Sequence, residues 1–136
     1  MALKCAILGA SGQVSQRLQQ RLFTHPDFEL VAIAGSENTI GKHLSQLEWR
    51  LEEPRPEYDL MVGSISKLPM VDVAFSALPS EIAETTERKL VEKGIHVLSN
   101  ASSFRMLNGI PMIIPERNNI SAGLSTASIQ IKMIVR

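Results

Sequence analysis

The chain has 136 residues, 44% of them hydrophobic, which suits one compact domain with a single core. Lys+Arg and Asp+Glu number 14 each, so the formal net charge is zero, and a neutral balance without a basic run argues against nucleic acid as the main partner. The apolar runs are too short to span a membrane, and a single cysteine, Cys5, leaves no intrachain disulfide.

The first residues enter a strand pattern almost at once, so no signal peptide is expected and the reading is of a cytoplasmic protein. Leu3 to Leu8 is an apolar run of the kind buried on both faces of a parallel sheet, and it ends at Gly9. From Gln13 to Phe23 the period changes: Val14, Leu18 and Leu22 form one helical stripe, and His25-Pro26 stops it. Glu29 to Ala34 is a second strand, which completes a strand–turn–helix–strand unit. Gly35 to Gly41 is a polar loop, Lys42 to Leu51 holds one or two helical turns, and "EEPRPEYD" is a surface connection. Leu60 to Ser64 reads as a short strand and Val71 to Leu78 as a firmer one. A helix follows from Pro79-Ser80 to Gly94, with Ser80 as its N-cap. Its acids come early (Glu81, Glu84, Glu87) and its bases late (Arg88, Lys89, Lys93), which complements the helix dipole. Ile95 to Ser99 and Pro111 to Ile114 are further strands. The alternation predicts an α/β fold: a single domain built on a Rossmann-like parallel sheet with helices on both faces. It occupies residues 1–118, followed by a divergent tail over 119–136.

The stretch "ILGASGQVSQRL" (Ile7 to Leu18) has glycines at 9 and 12, and Ser15 where a third glycine is expected. A helix that starts just past a parallel strand offers free backbone amides and a partial positive charge to a phosphate. Gly9 permits the tight turn, Gly12 lets phosphate approach the backbone, and Ser15 adds a CH2OH at the helix–strand contact. Ligands of open parallel sheets bind beyond the carboxyl ends of the strands. Gly9, Ser76 to Ser80 and Asn100 to Arg105 all follow strand ends and are expected to converge on one crevice.

With "GASGQVSQR" at the start, the segments "SALPSE" (Ser76 to Glu81), "SNASSFRM" (Ser99 to Met106) and "PMIIPERN" (Pro111 to Asn118) fix a family. In this order and spacing the chain resembles the N-terminal domain of aspartate-semialdehyde dehydrogenase over residues 3–118; N-acetyl-glutamyl-phosphate reductase is the related alternative. The resemblance implies an NADPH-dependent reduction of an acyl phosphate to an aldehyde through a cysteine thioester, in amino-acid biosynthesis. It assigns Gly9, Ser11, Gly12, Gln13 and Val14 to the pyrophosphate turn, and Ala34, Ser36 and Thr39 to the adenosine end. Ser76, Leu78 and Pro79 fall on the nicotinamide side, and Asn100, Ser102 and Arg105 on the substrate phosphate. Arg105 suits that role, because a guanidinium meets phosphate oxygens in a planar fork.

The chain also departs from the family. Its one cysteine, Cys5, lies inside the first strand, and Leu124 precedes Ser125-Thr126 where a nucleophile motif would fall. None of the three histidines, His25, His43 and His96, replaces a catalytic one or makes a metal spacing, so no catalytic residue and no metal are assigned. Glu37 and Asn38 stand where NADPH-dependent members carry a basic residue; Ser36, Thr39 and Lys42 favour NADP over NAD slightly. Arg117 takes a position the family usually gives to an apolar residue. The chain alone is therefore expected to bind dinucleotide without turnover. Half of a split enzyme and a non-enzymatic interaction or redox-sensing module are the alternatives. Apolar surface along Ile129 to Val135, read as either an alternating strand or an amphipathic helix, predicts a homo-oligomer or a partner chain.

Overall fold

The computed structural model describes residues 2–100 and the strand segments 112–113 and 128–131. Seven strands form one sheet: β1 (Leu3–Leu8), β2 (Phe28–Ala34), β3 (Val62–Gly63), β4 (Val73–Ser76), β5 (His96–Ser99), β6 (Met112–Ile113) and β7 (Ser128–Ile131). Their order is β3-β2-β1-β4-β5-β7-β6, and every neighbouring pair is parallel. Among the described residues the two long helices are α1 (Gln13–Phe23) and α2 (Ser80–Glu92). From β1 the chain winds outward through β2 and β3, then returns to add β4 and β5 on the other side. The strand order therefore reverses between β1 and β4, and that is where a crevice opens in folds of this kind.

Successive side chains of β1 feed opposite faces of the sheet. Cys5 and Ile7 pack with Leu18 and Leu22 of α1, Leu30 and Ile33 of β2, and Val73 of β4. Ala6 and Leu8 belong to the opposite core, with Ala83 and Leu90 of α2, Ala74 of β4 and Val97 of β5. The helices thus cover both faces, and Cys5 to Leu8 is fully buried, as an unbroken apolar strand demands. α2 begins one residue earlier than its cap assignment implied: Pro79 is the N-cap and Ser80 the first helical residue. Its C-terminal stop is Gly94, whose φ of 89° suits glycine alone.

The segment between β2 and β3 has only one short 3-10 turn, Leu44–Gln46, yet it is anchored to α1. Buried Gln16 uses both ends of its amide: Nε2 donates to the Glu48 carbonyl at 2.7 Å, and Oε1 accepts from the Arg50 amide at 2.9 Å. The Tyr58 hydroxyl donates to the Gln19 carbonyl at 2.7 Å, and its ring meets Phe23 edge-on. Arg55 donates to the carbonyls of Ser45 and Leu47 and lies over Trp49. In the tail, Ser128–Ile131 is a strand inserted between β5 and β6.

Candidate dinucleotide site

A relay of backbone hydrogen bonds holds the carboxyl ends of five strands side by side. Gly9 N–H donates to Ala34 O at 2.7 Å, Gly35 N–H to Gly63 O at 3.0 Å, Ala77 N–H to Leu8 O at 2.9 Å, and Asn100 N–H to Ser76 O at 2.9 Å. The segments that follow β1, β2, β4 and β5 therefore border one another at the reversal point.

The turn after β1 is shaped by its two glycines in different ways. Gly9 has φ of 102°, and a Cβ there would lie 3.2 Å from the Ala77 carbonyl oxygen, so the end of β4 walls the turn closely. Gly12 is the N-cap of α1 with ordinary extended backbone, and no side chain caps the helix. A Cβ on Gly12 would meet no described residue within 4 Å. The first amides of α1 have no partner within the helix and face that open space with the positive end of the helix dipole. Ser11, Gly12 and Gln13 are exposed around it, and Val14 is half-buried.

Ser15, at the third glycine position, is buried and donates its hydroxyl to the Gly9 carbonyl at 2.6 Å. Gln19 Nε2 donates in turn to Ser15 Oγ at 3.3 Å and to the Ala10 carbonyl at 3.4 Å. The serine thus replaces close packing by a bond that ties helix to turn. Ser15→Ala leaves the Gly9 carbonyl without that donor and is expected to cost about 1 kcal/mol. In thermal denaturation that reads as a midpoint lower by about 4 °C.

After β2, the Ser36 carbonyl accepts from Thr39 N at 2.9 Å, Thr39 Oγ1 at 3.0 Å and Ile40 N at 3.0 Å. Thr39 is therefore buried with its hydroxyl committed inside the loop, whereas Ser36, Glu37, Asn38 and Lys42 are exposed. Gly35, which the sequence did not single out, allows this loop to close on the phosphate turn. A Cβ there would lie 2.8 Å from Val62 Cγ1 and 3.2 Å from Ala10 Cβ. After β4, Ser76 turns its hydroxyl into the core, Leu78 is buried, and Pro79 is exposed at the start of α2. Asn100 is half-buried beside the end of β4. Ser102, Arg105, Arg117 and the Leu124 stretch lie outside the described residues.

Cys5 is fully buried, and its thiol is pushed up to about 12, first by burial and then by the Glu29 carboxylate. It carries almost no thiolate near neutral pH and cannot serve as a nucleophile where it stands. Glu87 is another departure from the surface pattern. Read in the sequence as one of the early acids that complement the dipole of α2, it is 0% exposed and accepts from Ser76 and Ser99. The sign was present: Ala83, Glu87 and Leu90 stand at i, i+4 and i+7, on the buried stripe of the helix.

The chain is 38% identical over 131 residues to an aspartate-semialdehyde dehydrogenase of Archaeoglobus fulgidus, a match covering 91% of this chain and 37% of that protein. It is 41% identical over 117 residues to the Methanothermobacter thermautotrophicus enzyme of the same name, covering 82% and 33%. The structure of aspartate semialdehyde dehydrogenase with NADP from Candida albicans superposes with a TM-score of 0.78 at 33% identity, over 85% of this chain and 34% of that one. The chain thus spans about a third of the length of these relatives. Residues 4–123 match the family described as "Semialdehyde dehydrogenase, NAD binding domain", and, with the sheet order and the glycine turn in agreement, the chain belongs to that family.

Proposed function

We propose that this chain binds a nicotinamide adenine dinucleotide, NADP in preference to NAD, as the cofactor-binding part of an aspartate-semialdehyde dehydrogenase-like reductase. One observation carries the reading: an uncapped helix start at the sheet reversal, with open space over Gly12. The groups present fit the cofactor. The backbone from Ser11 to Val14 would hold the pyrophosphate, and the exposed Ser36 loop the adenosine end. The segment of Ser76, Leu78 and Pro79 would flank the nicotinamide, with Asn100, Ser102 and Arg105 receiving the substrate phosphate. Exposed Ser36 and Lys42 support the 2′-phosphate, Glu37 opposes it, and the Candida albicans relative was solved with NADP. Bound NADPH would supply the hydride. The unit proposed for this role is residues 1–118, with β7 completing its sheet.

The inert setting of Cys5 favours binding without chemistry by these residues alone, with the thiolate coming from a second segment or a partner chain. Titration should therefore change NADPH fluorescence saturably. Addition of aspartate semialdehyde, phosphate and NADP to this chain should produce no NADPH. Steady NADPH production, lost in Cys5→Ala, would overturn the second half of the proposal.

A further inference from the structure

Ser76 and Ser99 are the last residues of β4 and β5 and are register partners across the two strands. Both hydroxyls donate to one oxygen, Glu87 Oε2, at 3.1 and 2.9 Å. Glu87 comes from α2, which starts immediately after Pro79. A single carboxyl group thus joins three elements directly beneath the segments that border the crevice. Its other oxygen, Oε1, is buried and has no hydrogen-bond partner among the described residues. An apolar side chain at this stripe position would avoid that cost, so the acid is placed here against simple core packing.

We propose that Glu87 is a positioning residue of the crevice: its carboxyl group clamps the ends of β4 and β5 and so fixes Ala77 to Pro79 and Asn100 against Gly9. The inference rests on the dinucleotide reading for its functional consequence, but the clamp itself has a readout that needs no ligand. Ala77 N–H and Asn100 N–H are bonded to Leu8 and Ser76 carbonyls at these strand ends, so their exchange with solvent reports how firmly the ends are held.

Burial favours the uncharged form of this acid. It raises the Glu87 pKa, opposed by the Ser99 and Ser76 hydroxyls, and among the described residues no charged side chain contributes. The apolar core on that face of the sheet includes Leu8 from β1, Ala74 from β4, Val97 from β5, and Ala83 and Leu90 from α2 itself. For a carboxyl group raised in the fold, the neutral form is the favoured one. Its contribution is complete below the ordinary carboxylate range and is lost as pH rises through the folded value.

The test compares the wild-type chain with Glu87→Gln and Glu87→Leu by amide exchange and by NADPH titration from acid to alkaline pH. Glutamine keeps an acceptor for both hydroxyls and cannot ionise. It should exchange like wild type at acid pH and hold NADPH equally there, and it should lack the loss of affinity with rising pH shown by wild type. Leucine should speed exchange at Ala77 and Asn100 at least tenfold and weaken NADPH at least tenfold, with the β1–β2 amides unchanged. If Glu87→Leu does not fold, Ser99→Ala serves, with the same directions expected. A folded Glu87→Leu or Ser99→Ala with wild-type exchange at both amides overturns the clamp. Equal pH profiles for wild type and Glu87→Gln overturn its dependence on the uncharged acid. Absence of NADPH binding by wild type overturns the dinucleotide reading and the positioning role with it, while the exchange data still decide the clamp.

Discussion

Gly12→Val is expected to weaken NADPH binding by about 10- to 100-fold while leaving the fold intact. The reason lies in what surrounds the residue. Gly12 has φ of −74° and ψ of 160°, a conformation that valine adopts without strain, and no described residue approaches its Cβ position within 4 Å. The free protein gains no clash. Valine is a poorer N-cap than glycine but orders the unfolded chain, two effects that oppose each other and leave a stability change of about 1 kcal/mol or less. The isopropyl group would instead fill the space through which a pyrophosphate reaches the α1 amides. Loss of one hydrogen bond to a charged group costs about 1.5–3 kcal/mol, which gives the stated range. Parallel denaturation and titration of the variant separate the two effects. A variant that binds as tightly as wild type would mean that the phosphate does not come over Gly12.

Gly9→Ala, three residues earlier, should behave in the opposite way and fail first in stability. Its φ of 102° is one that side-chain-bearing residues rarely adopt, and a Cβ would press on the Ala77 carbonyl oxygen at 3.2 Å. Strain of this kind costs about 1–3 kcal/mol. The Gly9 carbonyl also receives the Ser15 hydroxyl, and its amide bonds to Ala34, so relief by turning the backbone would break both. Urea denaturation should show a lower midpoint with an unchanged slope. NADPH affinity should fall too, because the turn and the end of β4 would move apart. Wild-type stability in this variant would show that the turn after β1 is looser than its hydrogen bonds imply.

Much of this was legible in the chain because it is written locally. The change from an unbroken apolar run to a helical stripe across Gly9–Gly12 located β1 and α1, and the strand–helix alternation gave the parallel sheet. The glycine turn could be read from its spacing together with the strand–helix–strand unit around it. What stayed hidden depends on partners distant in sequence. Glu87 looked like another acid of α2 until Ser76 and Ser99 met it from two strands. The same contact buries the Ser76 hydroxyl, which the sequence did not show. Gly35 was one more loop glycine until Ala10 and Val62 closed around it. The "EEPRPEYD" connection gave no period, yet Arg55 and Tyr58 anchor it through carbonyls far along the chain. At Ser128–Ile131 alternation alone left strand and helix equal; pairing with β5 and β6 decided for the strand.

The central claim is that the open turn at Gly12 receives a dinucleotide, and calorimetric titration of the pure chain with NADPH and then NADH tests it most directly. Saturable binding of one equivalent, tighter for NADPH than for NADH, is the predicted result. Heat indistinguishable from dilution with both nucleotides up to millimolar concentration would contradict it, leaving the glycine turn as a corner of the fold.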